Sequence, residues 1–462
     1  MNRKFDLNVE KILDNWEIYH AIREIIANAL DEMVLTNSKM IETFKDKQGW
    51  HIKDYGRGLK YISLTQNENI EKKNCDKVIG KFGVGLKDAL AVLYKNNVEV
   101  DIYSKYNHIS LEMCDKANFS NIKTLHAVIN EPVNNNMIGT DFVINVCDED
   151  IAKAKSLFLL FNKNELLDVL DVGEIYKKTS SVSSIYVHGV KVAEEDNYLF
   201  DYNITKVNKV LDKALNRERT SVGRTAYSLI IKQMLLKSKN DNVIELLINE
   251  LKKIPLGTNS DEVSLTDIQV HATKEYNATH KIVMVSADEA MDYNNNDKEK
   301  IEEAGREVLI IPGNAYQKLD GGKDYTGKDI GTFQTVINEY NESFVYEFVN
   351  ISNLSTNEKR VFELKDFVLD IYPIRDKSIK IKISKNINEM ISGDVLGVWD
   401  KSENAVIIKK EILKEPYKFC EVLFHEIAHA NTGYEDNTRD FENILGEIIR
   451  KLSKIILKDN FN

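Results

Sequence analysis

The chain has 462 residues, too many for one hydrophobic core, so two to four domains are expected. Hydrophobic residues make up 43% and charged residues 29%, the balance of a globular protein and not of a disordered or fibrous one. The net charge of −11, from 62 Lys and Arg against 73 Asp and Glu, argues against a nucleic-acid surface along the whole chain, though a local basic patch is compatible with it.

The four cysteines, Cys75, Cys114, Cys147 and Cys420, are scattered and form no C-x-x-C pair, so reduced thiols in a cytoplasmic protein are expected. The N-terminal residues lack the apolar core of a signal peptide. The longest apolar block, Leu157-Phe158-Leu159-Leu160-Phe161, is far too short to span a bilayer, so no membrane is implied. With five prolines and no Gly/Ser-rich stretch, the domains read as joined by short ordered connectors. No internal repeat stands out.

The first informative stretch is an amphipathic helix from about Trp16 to Leu35. Ile18, Ile22, Ile25, Ala29 and Met33 fall at helical spacing and form its apolar face. Glu24, Asn28 and Asp31 fall at i, i+4 and i+7 and make a separate polar stripe. Two carboxylates and an amide in a row suit a Mg²⁺–nucleotide site, because magnesium takes hard oxygen ligands and keeps most of its waters. A carboxylate one turn away can then act as general base on a water. A solvated helix face is the plainer reading of the stripe alone.

A short strand, Gly49–Lys53, leads into Asp54-Tyr55-Gly56-Arg57-Gly58. Two glycines two apart let the backbone approach a ligand closely, and the aspartate can accept from an exocyclic amino group. Next comes Gly80-Lys81-Phe82-Gly83-Val84-Gly85-Leu86-Lys87, three glycines opening onto an apolar-periodic helix. Such a turn is an anion site. It is not a Walker loop, because the Gly-Lys-Ser/Thr ending is absent, and it lacks the preceding strand of a Rossmann turn.

In this order, E-x-x-x-N-A-x-D, D-x-G-x-G and G-x-F-G-x-G resemble the signature of the GHKL ATPases. That superfamily includes gyrase, the ninety-kilodalton heat-shock chaperones and sensor histidine kinases. Gly139-Thr140-Asp141-Phe142 looks like its Gly-Thr strand, and the wording around Gly80–Ala89 is closest to the heat-shock chaperones and MORC-type ATPases. The resemblance covers residues 10–150 and implies a Bergerat-fold α/β sandwich that binds ATP and Mg²⁺. It implies that Glu24 activates the attacking water and that Asn28 ligates Mg²⁺, with Asp31 nearby. It implies that Asp54 holds adenine, with Gly56 and Gly58 giving backbone room and Thr140 behind. Gly80, Lys81, Gly83 and Gly85 then belong to a phosphate-holding lid to which Lys87 adds charge. Retention of Glu24 favours water attack over phosphoryl transfer to protein, so slow ATP hydrolysis with dimerisation on ATP binding is expected.

Residues 151–170 read as a helix, followed by strands at 173–177, 184–192 and 198–204 and a helical zone from Lys206 to about Lys252. Residues 151–265 look like the strand-helix transducer domain of dimerising GHKL ATPases, with Lys206, Lys209, Arg217 and Arg219 as candidate γ-phosphate sensors. The basic residues from Lys206 to Lys239 read first as a solvated helix face; nucleic-acid binding is the less favoured alternative. A strand at 280–286, a helix at about 297–304 and a strand at 306–311 form a strand-helix-strand unit, so residues 266–375 are assigned to a linking α/β domain. Gly321-Gly322-Lys323 and Tyr325-Thr326-Gly327-Lys328 read as turns, not phosphate loops.

The last segment, 376–462, carries His425-Glu426-Ile427-Ala428-His429 in an apolar helix stopped by Asn431-Thr432-Gly433. Two histidines at i and i+4 project side by side, as two zinc ligands must. Glu426 can take the proton of a metal-bound water. A hairpin from Leu396-Gly397-Val398-Trp399-Asp400 and Ala405–Lys409 precedes this helix, and in zincins such a strand binds substrate as an added β-strand. The region resembles small gluzincin-like metallopeptidases, a mostly helical domain. The resemblance implies a third Zn²⁺ ligand in the next helix, Glu442 first, then Asp440 or Glu447, and a protein or peptide substrate. The expected whole is thus an α+β multidomain ATPase coupled to a zinc metallopeptidase. The alternative is a chaperone-like or MORC-like ATP clamp on a protein or DNA client, with a non-catalytic zincin domain.

Overall fold

A computed structural model describes residues 3–9, 16–64, 70–73, 75, 78–80, 85–116, 119–215, 222–292, 301–302, 304–388 and 395–457. Lys81, Gly83, Arg217, Arg219 and most of the helix expected at 297–304 lie outside these residues. The protein is of mixed α+β class and divides into two compact units, Met1–Tyr276 and Asn277–Asn462. Among the described residues, no helix is long and apolar enough to cross a membrane.

The first unit begins with a seven-stranded antiparallel sheet. Its strands are β1 (Arg3–Asp6), β2 (Glu42–Lys45), β3 (Trp50–Lys53), β4 (Val100–Ser104), β5 (His108–Lys116), β6 (Phe119–Asn130) and β7 (Thr140–Ile144), in the order β1-β6-β5-β4-β7-β3-β2. With it go α1 (Ile18–Thr36), the short α2 (Ile70–Lys73), α3 (Gly85–Lys95) and α4 (Asp148–Ser156). Ile22, Ile25 and Ile26 of α1 are fully buried with Leu90 and Leu93 of α3 and Ile102 and Ile144 of the sheet. The helix is buried more widely than its predicted face: Ala21 and Ala27 are also covered, while Ile18 and Met33 are only half-buried. Glu17 and His20 form a capping box at its start, and Asn37, in the left-handed conformation, ends it.

A five-stranded sheet follows, β8 (Leu166–Val169), β9 (Gly173–Lys177), β10 (Ser183–Val187), β11 (Val190–Glu195) and β12 (Phe200–Ile204), in the order β11-β10-β12-β9-β8. The single helix expected at 151–170 is not found. α4 stops at Ser156 because Phe158 leaves the helix to bury itself completely and bridge to Val190, and β8 takes up residues 166–169. The β10–β11 hairpin turns on His188 and Gly189, both at positive φ (50° and 78°). Among the described residues the sheet is followed by α5 (Lys209–Ala214), α6 (Ser228–Lys237), α7 (Asp241–Leu251) and α8 (Thr266–Thr279), the last running across the division between units.

The second unit opens with a parallel sheet of β13 (Ile282–Ser286), β14 (Glu307–Ile311) and β15 (Gly331–Thr332), ordered β14-β13-β15, with α9 (Glu289–Asp292), α10 (Gly313–Leu319) and α11 (Phe333–Ser343). The 321–328 stretch is a turn pinned by Asp324, which accepts the amides of Thr326 and Lys328, while the Lys328 ammonium caps the carbonyls of Asn277 and His280. Helices α12 (Thr356–Phe362) and α13 (Leu364–Ile371) lead to a second small sheet of β16 (Lys380–Ser384), β17 (Gly397–Asp400) and β18 (Ala405–Lys409), ordered β16-β18-β17. The expected β17–β18 hairpin is present, and β16 adds to it in parallel. The chain ends in α14 (Pro416–Thr432) and α15 (Arg439–Leu457), with Phe419, Leu423 and Ile427 of α14 fully buried against Val406 and Ile408.

One buried carboxyl in the first unit gives a pH signature. Glu262 is 3% exposed and accepts from the Leu199 amide and the Tyr202 hydroxyl. Burial pushes its pKa up to about 7. The folded protein therefore keeps the proton after the unfolded chain, with an ordinary carboxyl near 4.5, has released it. This group's contribution to stability is full below about pH 4.5 and declines as pH rises through about 7. Urea unfolding at pH 5 and pH 8 is expected to show Glu262→Gln gaining stability relative to wild type at the higher pH.

Candidate functional site

Two polar centres are built on helices, one in each unit. In the first, α1 carries Glu24, Asn28 and Asp31, which meet Lys72, Ile79, Gly80 and Gly85, with Arg23 beside Glu24. Asp31 is 1% exposed, and a buried carboxylate must be answered by donors. The backbone amides of Ile79 and Gly80 and the ammonium of Lys72 answer it. Lys72 Nζ lies 2.9 Å from both Asn28 Oδ1 and Asp31 Oδ2. Asn28, expected as a magnesium ligand, thus turns its carbonyl oxygen to a cationic side chain. Glu24 pairs with the buried guanidinium of Arg23 at 2.8 Å. Its carboxylate reaches the N-terminus of α3, where a Cβ on Gly85 would overlap Glu24 Oε2. A side chain at residue 85 would therefore have to push the Glu24 carboxylate aside.

The other side of this centre is held by β3 and β7. Asp54, 5% exposed, donates its amide to the Thr140 carbonyl and accepts the Gly56 amide on its carboxylate at 2.8 Å. Burial raises its pKa. Thr140 Oγ1 accepts from the Leu59 amide at 3.0 Å, and Gly58 sits at φ 86° under the Gly139 carbonyl. Arg57 pairs with Glu32 and Glu71 across the segment. Lys87, also buried, has its amine shifted down by burial, with no acidic partner among the described residues. The structure thus gathers Glu24, Asn28 and Asp31 with Gly80 and Gly85, and holds Asp54 and Thr140 to each other.

The second centre lies on α14. His425 Nε2 and His429 Nε2 are 3.1 Å apart, and Asp436 Oδ1 lies 3.1 Å from the first and 3.3 Å from the second. His429 Nδ1 bonds the Tyr434 carbonyl at 2.7 Å, which fixes the ring and turns Nε2 inward. Phe441, on the first turn of α15, stacks on the His429 ring (4.1 Å between centroids) and meets His425 edge-on. Because Phe441 takes the face toward the histidines, its neighbours Asp440 and Glu442 point elsewhere and are exposed. Among the described residues, the carboxylate brought to the histidines is that of Asp436, not that of Glu442, Asp440 or Glu447. The expected third ligand is displaced by the six-residue turn between α14 and α15.

Glu426 is buried and accepts the Trp399 amide at 2.9 Å. Burial pushes its carboxyl up to about 7. The Trp399 amide points away from β18, so Gly397 and Trp399 present their backbone groups to the outer edge of β17. Gly397 packs so tightly on Val422 and Glu426 that a Cβ there would collide. Sequence reasoning missed Arg23, Lys72, Asp436 and the Trp399 amide. Asp436 was visible only as an acidic residue in a short turn, and Lys72 and Trp399 had no local pattern.

Three members of the basic zone pair with carboxylates of their own unit: Arg224 with Asp261, Lys232 with Asp267 and Lys237 with Asp171. Lys206 and Lys209 touch neither polar centre among the contacts described.

Fold and centres define a multidomain α+β protein with one helix-borne polar site per unit. Residues 149–241, which hold β8 to β12 with α5 and α6, match the family described as the Mycoplasma pneumoniae MPN635 N-terminal domain. A protein of Mycoplasma pneumoniae, itself uncharacterised, is 40% identical over 247 residues, 52% of this chain and 99% of that protein. A second uncharacterised protein of the same organism is 22% identical over 342 residues, covering 66% of this chain and 92% of its own length. The chain belongs to the family of the first of these proteins.

Gly139 supplies a test of how the first centre is assembled. It sits at φ 78°, and a Cβ would overlap the Asp54 carbonyl oxygen. Gly139→Ala is expected to cost about 2 kcal/mol or more, from left-handed strain and the displaced Asp54 strand end, measured by denaturant unfolding.

Proposed function

We propose that the chain is a GHKL-type ATPase whose first unit binds Mg·ATP and hydrolyses it slowly, and that its second unit carries a zinc metallopeptidase-like centre. The antiparallel sheet with α1, α3 and α4 supports a Bergerat-type nucleotide fold. The ATP half rests on one observation: Glu24, Asn28 and Asp31, spaced along one helix, meet Gly85, Lys72 and Gly80 respectively. In this reading Asn28, its Oδ1 given up by Lys72, would hold the nucleotide's magnesium, Asp54 would take the adenine amino group and Glu24, held by Arg23, would accept the proton of the attacking water. ATP-driven change in conformation, with dimerisation, is what acts on the second centre.

The zinc half rests on the His425, His429 and Asp436 atoms, mutually 3.1–3.3 Å apart. A tetrahedral ion with bonds of about 2.0–2.1 Å separates its ligand atoms by roughly 3.3 Å, so the donor set fits. When bound, zinc supplies a Lewis acid and brings a water's pKa to about 7. Glu426 offers one oxygen to the Trp399 amide and keeps the other to accept and return a proton. A peptide laid along the outer edge of β17 would be presented to it.

Calorimetric titration with Mg·ATP is expected to show one site per chain, lost in Asp54→Asn, while Glu24→Ala still binds but turns over about 100-fold more slowly. If Glu24→Ala left hydrolysis untouched, the assignment of the base would fall. Zinc affinity is expected to drop roughly 10-fold or more in Asp436→Asn and to stay unchanged in Glu442→Gln. The reverse pattern would return the third ligand to Glu442. Coupling fails if Glu24→Ala abolishes ATP turnover yet leaves peptide cleavage and its nucleotide dependence as in wild type.

A further inference from the structure

The first centre holds a cation of its own at the oxygens where the nucleotide reading asks for a divalent one. Lys72 Nζ lies 2.9 Å from Asn28 Oδ1 and 2.9 Å from Asp31 Oδ2. Asp31 is buried and Lys72 is largely covered, so water and salt screen this contact only weakly. The three groups converge on one spot. A Cβ on Gly80 would stand 2.9 Å from Asp31 Oδ2, 3.7 Å from Lys72 Nζ and 4.0 Å from Asn28 Oδ1. Gly80, without a Cβ, leaves that spot to two oxygens and one ammonium. Amide and carboxylate oxygens are the ligands a hard divalent ion takes, and magnesium needs only one or two of them from protein. The donor set therefore fits such an ion, but the ammonium already holds it. Two cations on the same pair of covered oxygens repel each other, so one excludes the other.

A separate set of contacts delivers Lys72 to this place. It sits on α2, a helix of four residues. The residue before it, Glu71, accepts from Arg57 at 2.8 Å, and Arg57 donates in turn to both carboxylate oxygens of Glu32 on α1, at 2.8 and 2.9 Å. The short helix is thus clasped to α1 twice, at Asp31 through Lys72 and at Glu32 through Glu71 and Arg57. Arg23, the other cation of this centre, is buried and tied to Glu24. Lys72 carries its charge on a flexible four-carbon stem from a single helical turn, so it is the cation able to withdraw.

We propose that Lys72 is a positioning residue whose ammonium occupies the divalent-ion position at Asn28 and Asp31, holds these oxygens in place in the nucleotide-free chain, and gives them up to the ion that accompanies ATP. The proposal rests on the reading of the first unit as a Mg·ATP site and adds an internal competitor to it. Exchanging an ammonium for a divalent ion raises the positive charge at the two oxygens by one. A polyphosphate arriving with the ion offsets that charge, so the exchange favours Mg·ATP over the bare ion.

The test reads ion binding and nucleotide binding separately on the full chain. Mn²⁺ takes the same oxygen ligands and is counted by its electron spin resonance, so it is titrated first without nucleotide. Wild type is expected to hold it weakly at this site. Lys72→Met and Lys72→Gln are expected to hold one Mn²⁺ about 10-fold or more tightly, and Lys72→Arg, which keeps the charge, to bind as weakly as wild type. The glutamine variant keeps an N–H for Asp31, so a poorly folded methionine variant does not decide the matter. Adding Asn28→Ala to Lys72→Gln is expected to remove the gain, which separates this ion from any held by the histidines. In calorimetric titrations with ATP, the Mg²⁺ concentration for half-maximal binding is expected to fall about 10-fold in Lys72→Gln. Unchanged Mn²⁺ affinity in both Lys72→Met and Lys72→Gln, the same gain in Lys72→Arg, or a gain that survives Asn28→Ala would overturn the proposal. If the Mn²⁺ gain appears but no chain binds ATP, the nucleotide reading fails while the ion exchange stands. If wild type binds Mg·ATP and the Lys72 variants change nothing, the nucleotide reading stands and the internal competitor falls.

Discussion

Both centres depend on the same constraint, a carboxylate buried in a helix that cannot stay there without donors. Asp31 lies in α1 among Ile25, Ile26 and Ala29, and Glu426 lies in α14 beside Ile427 and Ala428. Burying such a group unanswered costs several kcal/mol. In each case the answer comes from backbone amides of a segment far away in sequence: Ile79 and Gly80 for Asp31, Trp399 for Glu426. The carboxylate thereby fixes the distant segment against the helix. What looks like a cost to stability is also what docks Ile79 and Gly80 onto α1 and the edge strand onto α14.

The small residues follow from that docking. Gly85 leaves space for the Glu24 carboxylate, Gly139 lets β7 begin against the Asp54 carbonyl, and Gly397 brings β17 into contact with Val422 and Glu426. Each glycine stands where a functional side chain or its carrier strand comes close to another element. Cations complete the first centre. Arg23 holds Glu24, and Lys72 lies between Asn28 and Asp31, so this group of oxygens is met by positive charge from within the chain.

Much of this was legible in the sequence, for identifiable reasons. The periodicity of α1 and the αL stop of α14 at Gly433 are local signals, set by side-chain spacing or by backbone conformation. The failures are non-local. The run Leu157–Phe161 has helical composition, but Phe158 gains more by burial beneath the sheet than by continuing α4. Glu442 has the spacing of a ligand on a following helix, yet Phe441 takes the inward position and a turn residue, Asp436, reaches the histidines instead. β16 is the exception: its alternation Ile379-Lys380-Ile381-Lys382-Ile383 is a local strand signal, and it pairs in parallel with β18. Which residue faces inward was decided by packing between elements, and single-sequence spacing carries no record of that.

Two separate ligand sites are proposed in one chain, for nucleotide on α1 and for zinc on α14. Equilibrium dialysis of the full chain against Mg·ATP and zinc together, with Asn28→Ala and His429→Ala alongside, tests this most directly. The expected result is one nucleotide and one zinc per wild-type chain, loss of nucleotide alone in Asn28→Ala and loss of zinc alone in His429→Ala. A wild-type chain that retains no nucleotide, or a His429→Ala chain that retains zinc as well as wild type does, would contradict it.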